Sequence, residues 1–442
     1  MRTANRLQKV SVFGVSQRDS RWLVRWRVSG RDKSRSFTTK AQAAKFLRQL
    51  ENALDEGTSF DPGTLLPASW NSTVTVLSFA QSWLPRMWVQ WRPKSRMSAL
   101  DGTVAAVMTL VDCELSDELA ALLRPWLRQA LTPAGVVSPV SSDTRRAVTW
   151  LEQHSLPLGD IDASDVHRAF QRMLVNVSGS IARPQTFSKK RTGLTRMLGA
   201  AVSEGVIRSN PSAGVRSPRS LSDESEAVVA SEIPNVAEAW MLIDEVARIS
   251  VEAERMRAYL GMTLFAGLRP SEANALRVGD LDLPDHGWGE ARVRKSRTNP
   301  GSKFTDDDSP IAEGATKTND NRDVPLPPRL VVLVRAHLAS YPCGPDLTVF
   351  ANSNGGLLNG NIARSLTTAK TRLGWTGGHP LANTVHYTLR HSCASALLDA
   401  GVPEAVVAQR LGHSMQTLRA VYWHVFKQGV DDINARAETA FG

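Results

Sequence analysis

Along this chain the hydrophobic period changes from two to about 3.6, and that change limits the fold more than any other feature. Over Trp22-Leu23-Val24-Arg25-Trp26-Arg27-Val28 apolar residues recur at every second position, which predicts a strand. Trp22, Val24, Trp26 and Val28 share one face, while Arg25 and Arg27 share the other. Ser29-Gly30-Arg31-Asp32 reads as a turn, Ser34 to Thr38 as a return strand, and Thr39-Lys40-Ala41-Gln42 as a capping box that opens a helix carrying Ala43, Phe46, Leu47, Leu50 and Leu54. From Val74 onward the patterns are almost all helical. Phe79, Trp83, Met87 and Trp91 form one stripe, with Pro85 expected to kink or split it. Asp162 caps a helix bearing Val166, Phe170 and Leu174, and Phe187, Leu194, Met197, Leu198 and Ala201 mark another.

Two stretches interrupt these patterns. Residues 57–73 are rich in Gly, Pro, Ser and Thr, and residues 217–228 hold Pro218 and the acidic Asp223-Glu224-Ser225-Glu226. A length of 442 residues suggests about three domains at roughly 150 residues each. The expected layout is 1–56, a small β-sheet with a helix; 57–73, linker; 74–216, a helical domain; 217–228, linker; and 229–442, an α-rich domain with a small sheet. In the last, Val251 to Leu276 is expected to be helical, with strands at Gly289 to Lys295 and Arg322 to Leu326. The fold class is therefore mainly α and multidomain.

The net charge of +10 is unevenly spread. Residues 1–56 hold 13 Lys+Arg against 5 Asp+Glu, whereas residues 217–442 hold 23 against 26. A polyanionic partner is thus expected to be gripped mainly by the first half, through Arg25, Arg27 and the helical run Lys189-Lys190-Arg191. Cys113, Cys343 and Cys393 lack paired spacing, which argues against disulfides or a zinc cluster and leaves three buried thiols; no metal and no cofactor are expected. Apolar runs fall short of the roughly 20 residues of a membrane span, and no signal peptide is visible, so the expectation is a soluble cytoplasmic protein without membrane contact.

The C-terminal third carries the chemistry. Gly267-Leu268-Arg269-Pro270-Ser271-Glu272, Leu389-Arg390-His391, Leu411-Gly412-His413-Ser414 and Tyr422 supply two arginines, a histidine and a phenol. Guanidinium groups suit an anionic phosphodiester because their fork donates two hydrogen bonds and keeps its proton. Arg269 is expected at a helix junction with Glu272 orienting it. Arg390 opens a buried helix ending at Gly401, and His413 lies just past the helix that Gly412 ends, where the helix dipole favours a protonated imidazole.

Together these motifs resemble the tyrosine recombinases of the phage integrase family. The resemblance implies that Tyr422 attacks the scissile phosphate to give a 3′-phosphotyrosyl link, that Arg269, Arg390 and His413 hold its oxygens, and that Lys317 is the general acid, with Lys303 as the weaker alternative. Where the family usually has histidine, this chain has Tyr387, and His386 is the candidate out-of-register substitute. The resemblance further implies double-stranded DNA bearing core and arm-type sites, a homotetramer acting through a Holliday junction, an excisionase, a DNA-bending host factor, and location on the bacterial nucleoid. The helical domain resembles a core-binding domain, and residues 1–56 resemble the arm-binding domains of phage integrases. The rival readings are a chromosome-dimer or transposon recombinase with the same chemistry, and a DNA-binding regulator without activity.

Overall fold

The computed structural model describes residues 9–18, 21–37, 39–60, 65–67, 74–135, 138–176, 179–218, 229–316, 321–358, 361–428 and 438. The chain divides into two compact units, Met1–Ser222 and Asp223–Gly442.

The first unit begins with an antiparallel sheet in the order β1 (Val10–Arg18), β2 (Arg21–Val28), β3 (Arg31–Phe37), backed by α1 (Lys40–Asp55). Strand β1 is an addition to the expected sheet: its apolar residues are interrupted by a register shift between Phe13 and Ser16, which hides the alternation. On β2, Val24, Trp26 and Val28 are buried and Arg25 and Arg27 exposed, as the period of two requires. The return strand starts earlier than expected because Ser29 and Gly30 both take positive φ (49° and 85°), a two-residue turn that pairs Val28 directly with Arg31. The capping box is present, with Thr39 and Gln42 bonding each other's backbone N–H. Leu65, within the stretch read as linker, is buried against the sheet and accepts a hydrogen bond from Trp26 Nε1.

Six helices follow: α2 (Val76–Trp88), α3 (Pro93–Thr109), α4 (Asp117–Ala130), α5 (Ser142–His154), α6 (Ala163–Met173) and α7 (Pro184–Ser203). Pro85 does not split α2, which simply ends one turn later at Trp88; Trp91 lies beyond the helix and packs edge-on against Trp83, 5.8 Å between ring centroids. Asp162 caps α6 through Ser164 and Asp165, and an ion pair of 2.5 Å ties it to Lys45 of α1. Among the cysteines only Cys393 is buried; Cys113 is exposed and Cys343 intermediate, which corrects the expectation of three buried thiols.

The second unit comprises α8 (Val236–Ala247), α9 (Val251–Glu254), α10 (Met256–Phe265), α11 (Pro270–Ala273), β4 (Leu281–Asp282), β5 (Gly289–Val293), β6 (Lys295–Thr298), β7 (Ala312–Ala315), β8 (Arg322–Leu326), α12 (Pro328–Ser340), α13 (Ile362–Arg372), α14 (Thr388–Asp399), α15 (Glu404–Leu411) and α16 (Met415–Gln428). The helical stretch expected over 251–276 is made of three helices, and Arg269 stands at a junction as expected: Gly267 at φ 67° turns the chain after α10, and Pro270 is the first position of α11. Strands β4, β5 and β8 form one antiparallel sheet, and the insert between β5 and β8 folds into its own hairpin of β6 and β7. Helix α10, whose residues Ala258 to Leu264 are all buried, runs through the core and delivers the 267–272 segment to one end of the unit. Among the described residues no helix is long and apolar enough to cross a membrane. The whole is a mainly α, multidomain architecture with small antiparallel sheets.

Candidate active site

The site is organised around the end of α15. Gly412 takes the left-handed conformation that closes this helix (φ 63°), and a Cβ there would stand 3.1 Å from Arg322 Nη1 and 3.4 Å from Arg269 Nη1. Glycine thus permits both the turn and the close approach of two guanidinium groups. Arg269 Nη2 donates to Gly412 O at 2.8 Å. Arg390 Nη2 donates to Leu411 O and to His413 Nε2, the latter at 2.9 Å, while its Nη1 donates to Gly267 O. Four side chains spread over 153 positions, from Arg269 to Tyr422, therefore meet in one place, because α10, α14, α15 and α16 pack together.

Glu272 is the electrostatic keystone. Its carboxylate is 1% exposed and binds Arg269 Nη1 at 2.7 Å, the Arg269 backbone N–H at 2.9 Å, and both terminal nitrogens of Arg322 at 3.1 and 2.6 Å. Burial alone would raise its pKa, but the two guanidinium groups outweigh burial and hold it below the usual carboxylate range. Arg322, on β8, also donates from Nε to Arg410 O at 2.9 Å. It carries no recognisable sequence signal beyond its place before Val324-Pro325-Leu326, and only the fold shows that it completes this network. Three guanidinium groups against one carboxylate leave the cluster with excess positive charge, suited to an anion.

Arg390 is fully buried, and loss of hydration beside Arg269 lowers its pKa to about 10, which leaves it charged at neutral pH. Its Nε and His413 Nδ1 are buried without hydrogen-bond partners. For His413 the expectation of a protonated ring is wrong: burial and the neighbouring arginines lower its pKa to about 3. A guanidinium N–H can only donate, so Nε2 must accept, and the neutral ring carries its proton on Nδ1. The helix-dipole argument fails because desolvation and two nearby cations outweigh a terminal dipole.

Tyr422 lies in α16, whose backbone leaves helical geometry at this residue (φ −109°, ψ 22°). Its ring is fully buried among Ala394, Val407, Ala408, Leu411 and Leu418, and its Oη lies 2.9 Å from His391 Nδ1. Local spacing does not foretell that contact, since His391 stands in the sequence only as the last residue of Leu389-Arg390-His391. His386, the suggested substitute, is not at the site: it hydrogen-bonds Thr263 at 2.9 Å and packs on Tyr259, and desolvation lowers its pKa to about 3. Position 386 precedes α14, so its side chain departs toward α10 rather than α16. Tyr387 is 39% exposed and stands edge-on to His391, with centroids 5.3 Å apart.

Lys317 and the tail beyond Gln428 apart from Glu438 lie outside the described residues; Lys303 is exposed in the turn Ser302–Phe304. In the first unit Arg25 and Arg27 are exposed on β2, with Arg27 paired to Asp32. Lys189 and Arg191 are exposed on α7, but Lys190 turns inward, its Nζ donating to Met173 O at 2.9 Å, so that burial lowers its pKa.

Residues 236–429 match the family model described as "Phage integrase family". A tyrosine recombinase XerC of Haemophilus ducreyi is 28% identical over 222 residues, covering 50% of this chain and 61% of that protein. The alignment thus leaves more than a third of that relative unmatched. A tyrosine recombinase of Thermosipho africanus is 23% identical over 289 residues, 65% of this chain and 87% of its own. Among solved structures, a lambda integrase dimer bound to a COC′ core site shares the fold at a TM-score of 0.53 and 13% identity, covering 92% of this chain and 94% of that one. The Tn1549 transposon integrase in complex with transposon right end DNA shares it at 0.50 and 16%, covering 72% and 99%.

Proposed function

We propose that the chain is a tyrosine recombinase of the phage integrase family, whose model its residues 236–429 match, and that it cuts and rejoins DNA site-specifically, integrating and excising a phage or other mobile element through a 3′-phosphotyrosyl intermediate. The observation that carries this reading is the convergence of Arg269, Arg390, His413 and Tyr422 on one end of α15. Tyr422 Oη attacks phosphorus and the P–O5′ bond breaks, so the energy of the phosphodiester is kept in the new ester and rejoining requires no ATP. Arg269 and Arg390 stabilise the charge that builds on the non-bridging oxygens; preorganised donors matter most where that charge develops. Both are pinned by backbone carbonyls before any substrate arrives, so they lose little freedom on binding. His413, neutral with its Nδ1–H unpaired, donates one further hydrogen bond to the phosphate. Lys317 protonates the departing 5′-oxygen, and Tyr387 lines the approach.

Residues 1–56 serve as the arm-type DNA-binding domain, 74–216 as the core-binding domain and 229–442 as the catalytic domain, with four protomers joining two sites through a Holliday junction. The rival reading, a chromosome-dimer recombinase, is favoured by the XerC relatives. The +8 charge of the first 56 residues supports the integrase instead. Removing residues 1–60 separates the two: an integrase keeps core cleavage and loses integration.

The chemical step is tested on a nicked duplex carrying the core site, located by footprinting the protein on DNA flanking its own coding sequence. Wild-type protein should form a covalent adduct stable to denaturant, and Tyr422→Phe should form none. An adduct that persists in this variant moves the nucleophile elsewhere.

A further inference from the structure

A nucleophilic phenol must lose its proton, and burial raises the pKa of Tyr422 above its ordinary value, so attack at neutral pH needs a neighbouring base. Several groups near the cluster are unsuited. Arg390 only donates, and His413 Nε2 is already the acceptor for Arg390 Nη2. His386 is engaged with Thr263 on the α10 side. Among the described residues His391 is the base that meets the phenol, with Nδ1 2.9 Å from Tyr422 Oη and the two rings 5.6 Å apart between centroids. Its ring is held by Tyr387, one helical turn earlier on the same face.

We propose that His391 is the general base for Tyr422, a catalytic role that follows from the reading of Tyr422 as nucleophile. As the Oη–P bond forms and the P–O5′ bond breaks, the phenolic proton passes to Nδ1, Nε2 keeps its own, and the ring becomes imidazolium. The departing 5′-oxygen takes a separate proton from the acid assigned to Lys317. In rejoining, the 5′-hydroxyl attacks and gives its proton back to the deprotonated acid assigned to Lys317, the P–Oη bond breaks, and Nδ1 returns its proton to the tyrosine. The departure from the usual histidine at 387 is thereby accommodated: the base moves one turn along α14, and Tyr387 becomes a positioning residue that packs on it. Among the described residues, the titratable and charged groups near the imidazole include Tyr387 and Arg390 on α14, His413 after α15, and Tyr422 on α16.

The test is the single-turnover rate of adduct formation by the full chain on the nicked core duplex between pH 5.5 and 9. His391→Gln and His391→Ala should bind the duplex like wild type, yet form the adduct roughly 100-fold more slowly, the lower end of what a general base contributes. The rise in wild-type rate as an imidazole deprotonates should vanish, and added imidazole should partly restore His391→Ala. Wild-type rates and pH profiles in variants that bind overturn the proposal and leave Tyr422 as nucleophile. No adduct from wild type, or an adduct from Tyr422→Phe, overturns the nucleophile assignment itself. A second measurement needs no histidine variant: ¹⁵N imidazole spectra of the wild-type protein should show His391 protonated on Nε2 alone, and a ring protonated on Nδ1 could not accept the phenolic proton.

Discussion

Arg390 and Arg27 are the same residue type placed in opposite settings. Arg390 is fully buried, with both terminal nitrogens committed to backbone carbonyls and His413. Arg27 is exposed on β2, beside Phe13 and in an ion pair with an equally exposed Asp32. Burying a guanidinium costs a great deal of hydration, and the fold meets that cost only where the geometry of the cation matters. On the function proposed above, the C-terminal cluster would serve chemistry on one phosphate, and the face of β2 salt-sensitive attraction to many phosphates.

Removing the charge at Glu272 should have the largest effect. Glu272→Gln leaves Arg322 buried without its counter-ion and frees Arg269, and breaking a buried pair of this kind should cost about 3–5 kcal/mol of stability. Urea unfolding of the variant checks this. The matching surface change, Asp32→Asn, should leave the unfolding midpoint where it is. A midpoint that moves equally for both would erase the distinction between the regions.

A smaller effect comes from acid. The folded pKa of His386 lies below its unfolded value of 6.5, so the unfolded chain binds the proton first, and the histidine's contribution is complete above pH 6.5. It is lost as the pH falls toward about 3, by at most about 1.4 kcal/mol per pH unit. His386→Asn should flatten that limb of the stability profile, while the basic face of β2 holds no group that titrates in this range.

The smallest effect should come from the exposed arginines. Arg25→Ala with Arg27→Ala should weaken DNA binding modestly and uniformly across sequences. It should lower the slope of log affinity against log salt by about 2, roughly one for each phosphate that the variant no longer neutralises. Adduct formation on the core site should continue at its wild-type rate at saturating protein. A slope that stays unchanged would remove Arg25 and Arg27 from the DNA interface.

Much of the second unit is legible in its residues alone. Arg269, Arg390, His413 and Tyr422 stand in motifs whose order and punctuation are plain in the sequence, and Gly401, Pro403 and Gly412 mark helix ends because glycine and proline restrict or free the backbone locally. The β2 alternation is legible for the same reason. Strand β1 is not, because a register shift breaks its period. The junction at Arg269 is legible too, but the need for glycine at 267 is not: a Cβ there would stand 2.5 Å from Leu411 Cδ2, a clash that only the packed neighbour reveals. Arg322 looks like any strand cation until Glu272 is placed across from it, 50 positions away.

By itself the sequence determined the residue types, their order, the periods that make helices and strands, and the uneven charge, since each depends on neighbours a few positions apart. Only the tertiary structure decided that His391 rather than His386 meets the phenol, that His413 is neutral, and that Lys190 turns inward. Those outcomes depend on which helices pack together and how much water they exclude, and neither contact across 31 positions nor the cost of desolvation is written in local spacing.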